Sequence, residues 1–170
     1  MKNIIPLLLL SVVWLIVSCD APSQNLQEEA NAPQANYEEE KEAIISTLHD
    51  ETRAAFRRDY ESWQKHWVHD PSVSKTYINF ADSSLSESLG WEEISGFVKS
   101  FIETHPAPEP VPELVADVAV RLYGNGAWVS YEQQDSLRGR KRETRLMEKR
   151  DGKWRIANMH TTIYGKAAPK

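Results

Sequence analysis

From residue 113 to residue 164 the chain alternates apolar and polar residues with a period of two, interrupted by three short joints. The joints are Gly124-Asn125-Gly126, Arg138-Gly139 and Asp151-Gly152. Gly-Asn and Asp-Gly pairs suit tight hairpin turns, because such turns require positive φ. Joints this short force antiparallel neighbours. Strands over 113–123, 127–137, 140–150 and 153–164 therefore form a meander, and whatever precedes them must cover one of its faces.

The preceding residues carry the helical period instead. Ile44, Ile45, Leu48, Thr52, Ala55 and Phe56 recur at helical spacing, behind Asn36 as a cap and Glu39 placed as in a capping box. Asp59 is placed to cap a second helix bearing Tyr60, Trp63 and Trp67, and His69-Asp70-Pro71 ends it. Residues 74–80 alternate as a strand does. The third helix is the clearest: Trp91, Ile94, Phe97, Val98, Phe101 and Ile102 follow i, i+3, i+4, i+7, from a start at Ser88 or Gly90 to the proline run at 106–112. Helices first and a meander after them define an α+β domain over 37–170, with N-terminal helices packed on a curved antiparallel sheet.

The N-terminus has a different character. Lys2 precedes an apolar run from Ile4 to Val17, long enough for a signal h-region and short for a spanning helix. The run ends Ile16-Val17-Ser18-Cys19, which resembles the lipobox of bacterial lipoproteins, with Ile16 where leucine is usual. The resemblance implies that residues 1–18 are a signal peptide and that Cys19 is acylated and becomes the mature N-terminus. The partner is then a lipid bilayer and the location the cell envelope, with inner or outer membrane left open. Buried acyl chains contribute about 0.8 kcal/mol per methylene. An uncleaved anchor, or a signal peptide with a fortuitous cysteine, is the plainer alternative. Cys19 is the only cysteine, so the chain can form no internal disulfide. Residues 20–36 hold little to bury, and with Cys19 they read as a flexible tether. The formal net charge is −5, and Glu143 and Glu148 interrupt the basic cluster around Lys141 and Arg142. That balance argues against nucleic acid as a partner.

Three segments resemble the NTF2-like superfamily, specifically its SnoaL-like and DUF4440-type bacterial domains. They are Gly90-Trp91-Glu92-Glu93-Ile94, Asn125-Gly126-Ala127-Trp128-Val129, and the stretch from Glu143 through Asp151-Gly152-Lys153-Trp154 to His160. The resemblance covers about residues 38–165 and implies a cone-shaped barrel, with three helices over a curved sheet and an apolar cavity open at one end. It also implies a possible homodimer through the sheet. The superfamily hosts isomerases, dehydratases, hydrolases and plain binding domains, so the fold alone assigns no reaction.

Candidate site residues follow from strand alternation. Trp154, Ile156, Asn158, His160 and Thr162 share one face of the last strand, so Asn158 and His160 are expected to extend the core side toward the cavity mouth. An imidazole titrates near neutrality, which makes His160 the candidate acid/base, against a structural histidine as the alternative. Glu143 and Arg145 are placed inward by the resemblance, where an arginine fork would hold an anion; a solvated sheet face is the competing reading. Trp91, His69 and Tyr77 are further candidates to line a ligand site, although aromatic residues here serve equally as core. His66 and His69 have metal-compatible spacing but no third ligand in register, so no metal is expected. His49 and His105 read as surface positions. Asp117 and Asp135 are available on strands as bases. No cysteine nucleophile, Gly-x-Ser-x-Gly elbow or glycine-rich phosphate loop occurs in the domain, and no cofactor is expected. The leading expectation is a small-molecule-binding domain, with a SnoaL-like enzyme using His160, or a dimeric association module, as alternatives.

Overall fold

The computed structural model describes residues 24–113, 115–135 and 139–165, with side chains from residue 36 onward except that of Asp135. The signal segment and Cys19 lie outside the described residues. Helix α1 runs Gln24–Phe56, α2 is the single turn Tyr60–Trp63 continued by a 3₁₀ turn Gln64–His66, and α3 is Gly90–Thr104. The strands are β1 Ser74–Asn79, β2 Ser84–Leu89, β3 Ala119–Tyr123, β4 Gly126–Asp135, β5 Gly139–Arg150 and β6 Lys153–Gly165.

α1 begins well before residue 37, so Asn36 and Glu39 sit inside a continuous helix rather than at its cap. Glutamine, glutamate and alanine ahead of Tyr37 favour helix, but Pro33 lacks the N–H that an interior turn donates, so the helix continues there against the local signal. The second cap is formed as the sequence indicates: the Asp59 carboxylate accepts from the Ser62 backbone N–H at 3.0 Å. α3 starts at Gly90, whose φ of +80° suits glycine.

The sheet order is β2-β1-β6-β5-β4-β3. Every neighbouring pair is antiparallel except β1 and β6, which run parallel. The sheet is therefore mixed and open, a half-cone rather than a closed antiparallel barrel. β2 has no clear sequence signature because it is an edge strand of mostly exposed serines and leucines. β3 is shorter than its alternation implies. Residues 115–118 lie outside the ladder, and Val115 and Val118 line the cavity instead.

The core lies between the helices and the concave face. Ile44 and Leu48 of α1, Trp63 and Trp67, and Ile94 and Val98 of α3 meet Val129, Met147, Ile156 and Met159 of the sheet. Trp63 stacks on Trp91 at 5.8 Å and meets Trp67 tilted at 5.6 Å. These aromatic contacts tie α2 and the turn after it to α3.

Candidate functional site: a charged cavity under the helices

Between the helices and the sheet lies a cavity of about 380 Å³. Phe97, Val98, Phe101 and Ile102 of α3 form its apolar wall. The facing sheet wall is polar, with Lys75 and Tyr77 from β1, Lys141, Glu143 and Arg145 from β5, and Thr161 from β6.

The polar wall is a chain of buried charges. Glu51 on α1 is 4% exposed, and its Oε1 accepts from the indole N–H of Trp63 at 2.7 Å and of Trp67 at 3.3 Å. Its other oxygen lies 3.8 Å from Arg145 Nη1. Arg145 donates through Nη2 and Nε to Glu143 Oε2 at 2.6 and 3.2 Å. Glu143 also accepts from the Tyr131 hydroxyl and from Lys141 Nζ, both at 2.7 Å. Burial pushes the Glu143 carboxyl upward, but the charges of Arg145 and Lys141 and the bonds from Lys141 and Tyr131 outweigh it and hold the carboxyl at about 2. Burial raises the Tyr131 hydroxyl well above its ordinary value, and Glu143 adds to the effect. The arrangement is an electrostatic fixture: its carboxylate is too weak a base, and its phenol too weak an acid, for proton transfer at neutral pH.

Glu143, Arg145 and Tyr77 thus face the cavity, but other expected members do not. His160 and Asn158 lie on the opposite, convex face of the sheet. Leu146 pairs with Asn158 while Met147 pairs with Ile156, which leaves Ala157 as the extra residue of a β-bulge. The bulge reverses the alternation: Trp154 and Ile156 point inward before it, and Met159, Thr161 and Ile163 after it. Asn158 instead donates to Ser74 Oγ at 2.5 Å. His160 is half-buried on the outer face between Thr144 and Thr76. Trp91 and His69 are also outside the cavity. The exposed His69 ring stacks on Trp91 at 3.7 Å and bonds the Gln64 carbonyl at 2.8 Å, which caps the tryptophan cluster from without. His49, read as a surface residue, lines the cavity and contacts the Val115 carbonyl at 3.0 Å. Asp117 is exposed and outside β3. Among the described residues no three His, Cys, Asp or Glu side chains converge as metal ligands do.

Glu51, Lys75, Lys141, Tyr131 and Thr161 complete the site and are not evident from residue type alone. Their phase does carry the signal. Glu51 follows Leu48 by three and Ile44 by seven on the buried stripe of α1, and Lys75 falls between the inward Val73 and Tyr77.

A helix-covered, open mixed sheet around a cavity defines an NTF2-like α+β cone. A model of the SnoaL-like domain matches residues 44–164, and the chain belongs to that family. Several solved structures share the fold. A candidate dehydratase of the NTF2-like family from Streptomyces avermitilis superposes with a TM-score of 0.57 at 15% identity, covering 74% of this chain and 97% of that one. A cystatin-like fold protein from Burkholderia xenovorans gives 0.54 at 19% identity, covering 82% and 97%. An NTF2-like superfamily protein from Salmonella enterica gives 0.54 at 19%, covering 76% and 93%. At these identities the likeness speaks to fold only. No curated protein matches the chain in sequence.

Proposed function

We propose that this SnoaL-like domain binds a small, largely apolar molecule in its cone and is displayed from the cell envelope by a lipid on Cys19. The carrying observation is the 380 Å³ cavity, a size typical of small-molecule sites, with one apolar wall and one wall of fixed charge. Binding is favoured over acid/base catalysis by His160 because that imidazole faces away from the cavity, the ring of the lining His49 is engaged by the Val115 carbonyl, and the buried Glu143 is held ionised. The envelope location is supported by Lys2, the apolar run and the Ser18-Cys19 ending. On the convex face, Trp128 and Leu146 are paired across β4 and β5 and both exposed, which suits a second copy of the chain.

Thermal-shift screening of the full chain against soluble aromatic and medium-chain compounds tests the binding reading. A saturable rise in melting temperature is expected, and Ile102→Trp, which fills the cavity from α3, should remove it. Shifts that persist unchanged in the filled variant would place binding elsewhere and sink the proposal.

A further inference from the structure

We infer that the cavity takes an organic monoanion, a carboxylate on an apolar body, with Lys75 holding the charged head. The inference rests on the binding reading above and adds the class of ligand.

Lys75 points inward from β1 and is 8% exposed. Its ammonium stands 5.5 Å from the ring centroids of Trp63 and Tyr77, 5.7 Å from Phe97 and 5.9 Å from Trp67. Aromatic faces stabilise the charge. Rings accept no conventional hydrogen bond, so among the described residues the N–H donors of Lys75 are left open toward the cavity. Every other cation lining the cavity has a carboxylate: Arg58 pairs with Glu109, Lys141 with Glu143, and Arg145 with Glu143 and Glu51. Among the described residues Lys75 has none. Four cations and three carboxylates line the cavity, so it carries one surplus positive charge, and that charge is on Lys75.

Two other polar atoms in the wall make no hydrogen bond, Thr161 Oγ1 and Arg145 Nη1, the latter facing the Glu51 carboxylate at 3.8 Å; both are fully buried. Strand register brings them near Lys75. Lys75 pairs with Met159, and Met159 with Arg145, so the two cations flank Met159 in one cross-strand row. Adjacent strands lie about 5 Å apart, so this row spans about 10 Å between the two backbones. Thr161 occupies the next row, opposite Tyr77 and Glu143. A carboxylate seated over Met159 faces all three donors, and its apolar body extends toward Phe97, Phe101 and Ile102. The network of Glu51, Glu143, Arg145 and Lys141 is charge-balanced and keeps its hydrogen bonds, because the ligand meets only Lys75, Thr161 and the Arg145 Nη1 that makes none.

Isothermal titration of the full chain with phenylpropionate, phenylpropanol and phenylpropylamine at neutral pH tests this. These probes share one apolar body and differ in the head. The acid should bind at least about tenfold more tightly than the alcohol, as a charge-assisted hydrogen bond in a desolvated site requires. Lys75→Met, a near-isosteric change inside the ring cage, should retain the alcohol and lose the preference, and Lys75→Arg should keep part of it. Circular dichroism confirms that the variants fold; if Lys75→Met does not, the acid-to-alcohol ratio of the wild-type chain decides alone. Equal affinity for acid and alcohol, tighter binding of the amine, or an acid preference that survives Lys75→Met overturns the inference while leaving cavity binding standing. Failure of all three probes to bind overturns both.

Discussion

Arg145→Met cuts the charge chain at its centre. The substitution keeps most of the aliphatic volume, so what it removes is charge and hydrogen bonding. Glu143 loses two bonds from the guanidinium and Glu51 loses the cation 3.8 Å away. Breaking a buried pair on one side leaves uncompensated charge and costs about 3–5 kcal/mol. The sign of the pH dependence separates this cause from simple loss of packing. In the wild-type chain the Glu143 carboxyl is held at about 2, below its ordinary 4.5. Its ionised form therefore contributes stability that is complete above pH 4.5 and is lost as pH falls toward 2, a contribution of about 3 kcal/mol. Without Arg145, burial is opposed only by Lys141 and the Tyr131 bond, and the carboxyl moves upward. Protonation then relieves the variant at a pH where the wild-type chain is still unaffected. Urea denaturation followed by tryptophan fluorescence, from neutral pH to about pH 4.5, reads this directly. The deficit should be largest at neutral pH, shrink on acidification, and be at least half recovered by adding Glu143→Gln. A deficit below about 1 kcal/mol, or one that does not change with pH, would refute the charge-chain account.

The other expectations are simpler. Glu51→Gln keeps an acceptor for one indole but removes the charge facing Arg145, and should lower unfolding free energy by about 1–3 kcal/mol; an unchanged urea midpoint would contradict it. His160→Ala should leave probe affinity in the titrations within about twofold, well under 1 kcal/mol, and a tenfold loss would return His160 to the site. Leu146→Glu places a charge on the convex face and should convert any dimer to monomer in sedimentation analysis, whereas identical sedimentation of variant and wild type as dimers would exclude that face. Cys19→Ala should move the chain from the membrane fraction to the soluble one and abolish acyl labelling; retention of both would refute lipid attachment at Cys19.

The α+β order and the long strands were legible because alternation and Asp-Gly joints are local properties. Asp151 and Gly152 adopt φ of 53° and 73°, as a tight hairpin turn needs. The site was only partly legible, for reasons that lie beyond single residues. Glu143 and Arg145 share the inward phase of β5, so an alternating pattern carries them correctly once one inward residue is known. β6 broke the same reasoning, because extrapolation from Trp154 and Ile156 assumes an unbroken pleat and Ala157 inserts one extra residue. Nothing in the Ile156-Ala157-Asn158 sequence marks that bulge; it is fixed by the pairing with β5. Lys75 and Glu51 carry no inward signal in their residue type, because charged side chains at inward positions are rare, although their spacing places them there. The parallel pairing of β1 with β6 was hidden for a similar reason, since it joins segments with no short connection between them.

That pairing has a consequence for how the chain is assembled. β6, the last thirteen residues of the ordered sheet, lies between β1 and β5 and is the seam along which the two halves of the molecule join. Ser74 and Asn158, neighbours across the seam, are 84 residues apart in the chain. Contacts of such sequence separation form late, because the loop entropy must be offset before any of them contributes. Until Lys153 and its successors have left the ribosome, the chain is a helical segment with a small hairpin and, separately, a three-stranded meander, each with its apolar side uncovered. The final strand occupies the middle of the sheet, so a chain ending before Lys153 is not a smaller version of the domain but two halves without their common wall.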